Sequence, residues 1–143
     1  MITVSILLIH AAAAWFMTGL IWFVQIVHYP LFDRVGAREA SKYCIDNRRL
    51  TTFVVVPVML FEGAMSAALV WLLPATLKPA AWAGVAMLLA LWVSTAVIHV
   101  PQHARLGKGF DASVHRRLVA SNWLRTTLWT ARGIVALWLV AAH

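Results

Sequence analysis

Two charged residues stand in the middle of apolar stretches long enough to cross a bilayer, Glu62 in one and Arg132 in another. A helix of about 20 apolar residues spans a hydrocarbon core of roughly 30 Å. A charge at the centre of such a helix costs at least ~2.5 kcal/mol. That cost is offset when the charge turns away from lipid and finds a partner, which calls for a bundle of helices rather than isolated spans.

Four such stretches can be drawn, over residues 2–28, 53–73, 80–100 and 123–142. They leave little chain for anything else. With 62% hydrophobic and 12% charged residues and a mean hydropathy of +0.81, a soluble core of this size could not hide so much apolar surface. The expectation is an all-α, four-transmembrane-helix bundle forming a single membrane domain over residues 1–143. The first stretch contains the small-residue run Ala11–Ala14 of a cleavage region, but no Lys or Arg precedes it and it runs well past signal-peptide length, so it is expected to stay attached. The single cysteine, Cys44, excludes an internal disulfide and lacks the paired spacing of a zinc or iron–sulfur site.

Charge orients the spans. Arg34, Arg38, Lys42, Arg48 and Arg49 lie between the first two, and Arg105, Lys108, Arg116 and Arg117 between the last two, against Lys78 alone in the middle connection. The positive-inside rule then places both basic connections in the cytoplasm and both termini outside, in a bacterial inner membrane. The net charge of +7 follows from topology and attraction to anionic lipid head groups, with no nucleic-acid partner implied. Leu106, Phe110, Val114 and Leu118 recur every four residues among Arg, Lys and His. This is the pattern of an amphipathic helix in the interface. Phe32, Val35, Tyr43 and Ile45 form a weaker version in the first connection.

The two halves of the chain, about 1–74 and 75–143, echo each other. His28-Tyr29-Pro30 ends the first span and His99-Val100-Pro101 the third; Asn47 with Thr51-Thr52 opens the second and Asn122 with Thr126-Thr127 the fourth. Two tandem helical hairpins with an even number of spans each keep one orientation, so the repeat is parallel and its axis runs along the membrane normal. His28 and His99 are then expected to face each other at one depth. Pro30 and Pro101, lacking an N–H, stop or kink the spans just past them.

At ~100° per residue the polar groups of each span share a side. His10, Thr18, Gln25 and His28 align in the first span, Thr51, Glu62 and Ser66 in the second, Gly84, Trp92, Thr95 and His99 in the third, and Asn122, Arg125, Thr126 and Arg132 in the fourth. These stripes are expected to meet on the bundle axis. Glu62 and Arg132 should pair near mid-depth, closing a polar funnel that opens toward the basic end. The pair serves either to fix helix register or as a proton or anion site. His28, His99, His103 and His115 gather at the rim, as interfacial hydrogen-bonding groups or as ligands of a transition metal (Fe or Cu) or haem b. His10 and His143 fall outside that cluster. Gly19, Gly63, Gly84 and Gly133 allow close helix approach.

The run Val100-Pro101-Gln102-His103, Leu106, then Asn122-Trp123-Leu124-Arg125-Thr126, Trp129 and Arg132 resembles small four-helix bacterial membrane proteins of unassigned function. It is distantly similar to the anthrone-oxygenase-like family, whose third connection carries a Pro-x-Asn-like motif and whose last helix begins Asn-x-x-Arg. Where that family has Asn after the loop proline, this chain has Gln102-His103. The resemblance implies oxidation of a hydrophobic substrate entering from lipid, with Asn122 and Arg125 near the site.

The resulting expectation is a small membrane oxidoreductase with a cytoplasm-facing site. His28, His99 and His103 bind the metal or haem, His115 closes the site, Asn122 and Arg125 orient a hydrophobic small molecule, and Glu62 and Arg132 hold or relay charge. Two other classes fit the same residues. One is a proton-coupled anion transporter or channel subunit, with a homodimer supplying the pathway. The other is a non-catalytic membrane assembly partner.

Overall fold

The computed structural model describes residues 2–143, and among them every regular element is a helix. Helix α1 (Ile2–Phe23) passes into a wide π turn, Val24–His28, and a 3-10 turn, Pro30–Arg34; α2 (Ala37–Leu72) is a single 36-residue helix. A short connection leads to α3 (Lys78–Ser94), a second π turn, Thr95–His99, the short α4 (Val100–Leu106) and finally α5 (Ala112–Ala142). The continuous runs Ile2–Arg34, Arg38–Leu72 and Lys78–Leu106 are long and apolar enough to cross a membrane. Helix α5, of 31 residues, has the length as well but carries Arg125 and Arg132 within its apolar half. The chain is an integral membrane helical bundle.

Neighbours follow chain order. Helix α1 packs on α2 and α5, and α3 packs on the same two, so α1 faces α3 across one diagonal and α2 faces α5 across the other. The tightest seam joins α1 to α5. Ala11, Ala14 and Ala136 form its buried centre, and small side chains let the two backbones approach closely enough for polar contacts. Thr18 Oγ1 lies 2.9 Å from the Trp129 carbonyl, and Trp15 Nε1 donates to the Gly133 carbonyl at 3.1 Å.

The two π turns have one cause. A proline at position i cannot donate to the carbonyl of i−4, and its ring presses against that group. Pro30 and Pro101 would meet the carbonyls of Ile26 and Val97 in this way. The chain widens instead: Tyr29 N–H bonds back to the Val24 carbonyl at 2.9 Å, and Val100 N–H to that of Thr95. The prolines therefore neither stop the runs nor bend them into loops, and each wide turn ends on a histidine, His28 or His99.

The basic connections are largely helical extensions of the long helices, interrupted by turns at residues 35–36 and 107–111. Leu106, Val114 and Leu118 turn inward and join Phe32 and Cys44 in one buried cluster. Asp111 caps α5, its carboxylate accepting from Ser113 Oγ and from the backbone N–H groups of Val114 and Ser113, contacts that hold its pKa below the usual carboxylate range. Helix α2 docks through Ala40 and Cys44 at one end and from Met59 onward at the other. Between them, from Ile45 to Val58, no residue of α2 is buried.

The α1–α5 seam yields a direct test. A Cβ on Gly133 would stand 3.1 Å from Thr18 Oγ1 and 3.2 Å from the Trp15 ring, whereas one on Gly19 meets nothing within 4 Å. Gly133→Leu is expected to cost about 1–3 kcal/mol by overpacking, read as a lowered unfolding midpoint in detergent, with Gly19→Leu close to the wild type.

Candidate functional site

The polar stripes do meet, but in two separate places. The first is centred on Arg132 of α5, which is 1% exposed and touches the other three long helices. Its Nε donates to Glu62 Oε1 at 2.7 Å and its Nη2 to Ser66 Oγ at 2.5 Å, both on α2. Nη1 donates to the Gly84 carbonyl on α3, and Nη2 lies 3.2 Å from His10 Nε2 on α1. A guanidinium can only donate, so His10 accepts through Nε2. Glu62, fully buried, lies 4.0 Å from the same ring nitrogen. The expected Glu62–Arg132 pair is present, and His10, which the sequence placed on the inward stripe of the first span but outside the rim histidines, joins it. Beside this knot is a void of about 10 Å³, the lower limit for one water.

The second place is a cavity of about 430 Å³ nearer the basic end. It exists because α2 stands off between its two docking points. Met17, Ile21 and Val24 of α1, Val55 and Met59 of α2 and Trp92 of α3 give it apolar walls. Toward the basic end the lining becomes polar: His28, Asn47, Thr95, His99, His103 and Arg125. Among the lining residues Thr52, Val56 and Leu60 of α2, and Ala96 and Val100 across from them, are exposed, while none from α1 is. The mouth therefore opens sideways between α2 and the Thr95–His99 turn, on a face that lipid covers in a membrane. The funnel expected toward the basic end is filled by Tyr29, Phe32, Leu106 and Leu118, all at most 5% exposed. The expected floor, Glu62–Arg132, lies beyond the cavity, behind Trp92 and Gly63, whose Cβ would stand 3.2 Å from that indole.

The wide turn governs the chemistry of His99. Its Nδ1 lies 3.0 Å from the Ser94 carbonyl at the start of the turn. A carbonyl can only accept, so Nδ1 carries the proton of the neutral ring and Nε2 keeps its lone pair, buried and without a partner. The other histidines are engaged. His28 Nε2 lies 2.6 Å from Asn47 Oδ1, which also accepts from Thr51 Oγ1 at 3.2 Å. His103 Nε2 meets the Tyr29 hydroxyl at 2.9 Å, and His115 Nε2 donates to the Tyr29 carbonyl at 2.7 Å.

Tyr29 and Asn47 thus hold three of the four histidines in place. Both stood in the repeat motifs of the sequence, yet neither was assigned a role there, since the histidine partners lie 19 to 86 residues away. His115 does not line the cavity, and neither does Asn122. Asn122 works one step back: its Nδ2 donates to Gln25 Oε1 at 2.9 Å and its Oδ1 accepts from Arg125 Nη1 at 3.3 Å.

Among the described residues no three His, Cys, Asp or Glu side chains gather closely enough to hold one metal ion. Four polar atoms in the wall of the cavity, Trp92 Nε1, His99 Nε2, His103 Nδ1 and Arg125 Nε, are buried without a hydrogen-bond partner. Compared with family models, curated proteins and solved structures, the chain matches none.

The Arg132 knot predicts non-additive mutations. Glu62→Gln leaves a buried guanidinium uncompensated and is expected to destabilise by about 3–5 kcal/mol. The double variant Glu62→Leu/Arg132→Met, which removes both charges, is expected to recover more than half of that loss. Unfolding curves in mixed micelles for the two variants check this.

Proposed function

We propose that this protein takes a hydrophobic small molecule out of the bilayer and holds its polar end against His99, His103 and Arg125. The observation that carries the reading is the cavity itself: about 430 Å³, apolar for most of its length, polar at one end, and open to the lipid-facing side. Pockets of roughly 300–1,000 Å³ with apolar walls and a few convergent polar groups are the usual form of a small-molecule site. Such a site is also what a small membrane oxidoreductase acting on a lipid-borne substrate requires. Arg125 lines the cavity and Asn122 lies behind it, and this reading gives them the substrate-orienting role that the resemblance to the anthrone-oxygenase-like family implies. What the residues add is acid–base capacity rather than a metal. One imidazole with a free lone pair sits close enough to one guanidinium for the two to act on each other electrostatically.

The topology proposed with this function puts the basic end, with Arg105, Lys108, Arg116 and Arg117, in the cytoplasm of a bacterial cell, so that the mouth opens into the inner leaflet of the inner membrane. In the variant Lys108→Cys with Cys44→Ala, a membrane-impermeant thiol reagent is expected to label inverted vesicles and not intact spheroplasts. The reverse pattern would overturn the orientation.

The binding reading is tested by blocking the mouth. Val56 is exposed at the cavity rim, so Val56→Trp fills the opening without entering the core. Solvent extraction and mass spectrometry of purified full-length protein should find a retained amphiphile, reduced at least fivefold in Val56→Trp. Val93→Trp, on the exposed face away from the cavity, should retain it. Equal retention in all three would overturn the proposal.

A further inference from the structure

Arg125 and Arg132 sit two turns apart on the same helix and are both buried, at 7% and 1% exposure. Their surroundings differ in one respect. Arg132 has a carboxylate, Glu62. Arg125 has neutral partners: Asn122 Oδ1 accepts from its Nη1, and the Tyr29 hydroxyl lies beside it. Among the described residues the ion pairs are Arg34–Asp33 and Arg132–Glu62, and neither includes Arg125. No carboxylate lines the cavity, whereas two arginines, Arg48 at the rim and Arg125 within, do. A buried charge without a counter-ion is costly, and the arginine that lacks one faces the cavity.

Resting on the pocket described under the proposed function, we infer that its occupant brings the missing anion: a single-chain carboxylic acid of medium length, its carboxylate at Arg125 and its chain along the apolar wall. One buried cation matches one negative charge. A carboxylic acid supplies that charge as its carboxylate and crosses lipid in its neutral form.

On binding, the acid's O–H bond breaks and its proton passes to water at the exposed Arg48 rim, so that the bound head is an anion beside Arg125. The electron pair stays on the carboxylate, whose oxygens accept from Arg125 Nε–H and from the other unpartnered donors around it. Release runs the same transfer backward. Size sets the chain length: at the roughly 30 Å³ that a water-sized group takes up in a liquid, the cavity of about 430 Å³ holds about fourteen non-hydrogen atoms. Dodecanoic acid is of that size.

The test uses wild-type full-length protein in detergent, titrated with dodecanoic acid, methyl dodecanoate, dodecylamine and dodecyl phosphate, with bound fractions read by native mass spectrometry. Dodecanoic acid is expected to bind at least tenfold more tightly than the ester and the amine, and more tightly than octanoic or hexadecanoic acid. Val56→Trp should weaken it at least fivefold. Arg125→Gln should bring acid and ester to equal affinity; if that variant does not fold, the wild-type ratio decides.

Ester and acid binding equally well would overturn the carboxyl assignment while leaving the pocket intact. Dodecyl phosphate binding more tightly than dodecanoic acid would overturn it in favour of a phosphate head. Failure of every probe to bind, or binding indifferent to Val56→Trp, would remove the pocket reading and this inference with it.

Discussion

The guanidinium of Arg132, carried by α5, reaches each of the other three long helices. In lipid there is little hydrophobic drive to bring helices together, so association depends on close packing and on polar groups that have nowhere else to go. Arg132 cannot be left facing lipid, and each of its contacts lies on a different part of the bundle: Glu62 and Ser66 on α2, the Gly84 carbonyl on α3, His10 on α1. Gly84 lacks a side chain where one would crowd the guanidinium, its would-be Cβ standing 3.3 Å from Nη1. A diagonal tie between α2 and α5 fixes the rotation of both helices, and with it which faces meet the bundle axis.

The cavity follows from where that tie ends. Helix α2 is held by the knot at Glu62 and Ser66 and again at its start, where Ala40 and Cys44 are buried and Asn47 meets His28. The segment between is a helical strut, with Pro57 inside it, that has no polar tie along most of its length and no buried residue. Nothing draws it onto α1 and α3, and bulky side chains on both sides hold the space open. The opening is therefore built into the bundle's attachment points and needs no loop or lid to make it.

At the polar end of that space, backbone geometry decides the chemistry of side chains. Pro30 and Pro101 force the preceding turns to widen, and His28 and His99 fall at corresponding positions 71 residues apart, each the last residue of its turn. Their ring nitrogens then meet different neighbours. His28 finds the Asn47 amide and is spent on holding α2; His99 finds the Ser94 carbonyl and is left with a lone pair. Two residues alike in local sequence come to differ in role because one faces a helix that carries an amide and the other faces a buried arginine.

The sequence by itself determined the class of fold, the pairing of Glu62 with Arg132 and the inward faces of the helices. The physical reason is that a bilayer tolerates few arrangements: every backbone group must be bonded within its own helix, and a charge must turn away from lipid. Periodicity then fixes each stripe without knowledge of its partner. Tertiary structure decided the rest. That His10 joins the Arg132 knot, that Tyr29 and Asn47 occupy three of the four histidines, and that the opening faces sideways all depend on distances between residues 19 to 122 positions apart. Hydropathy and spacing describe one helix at a time, and a ring nitrogen's partner or a gap between helices is a property of two or more.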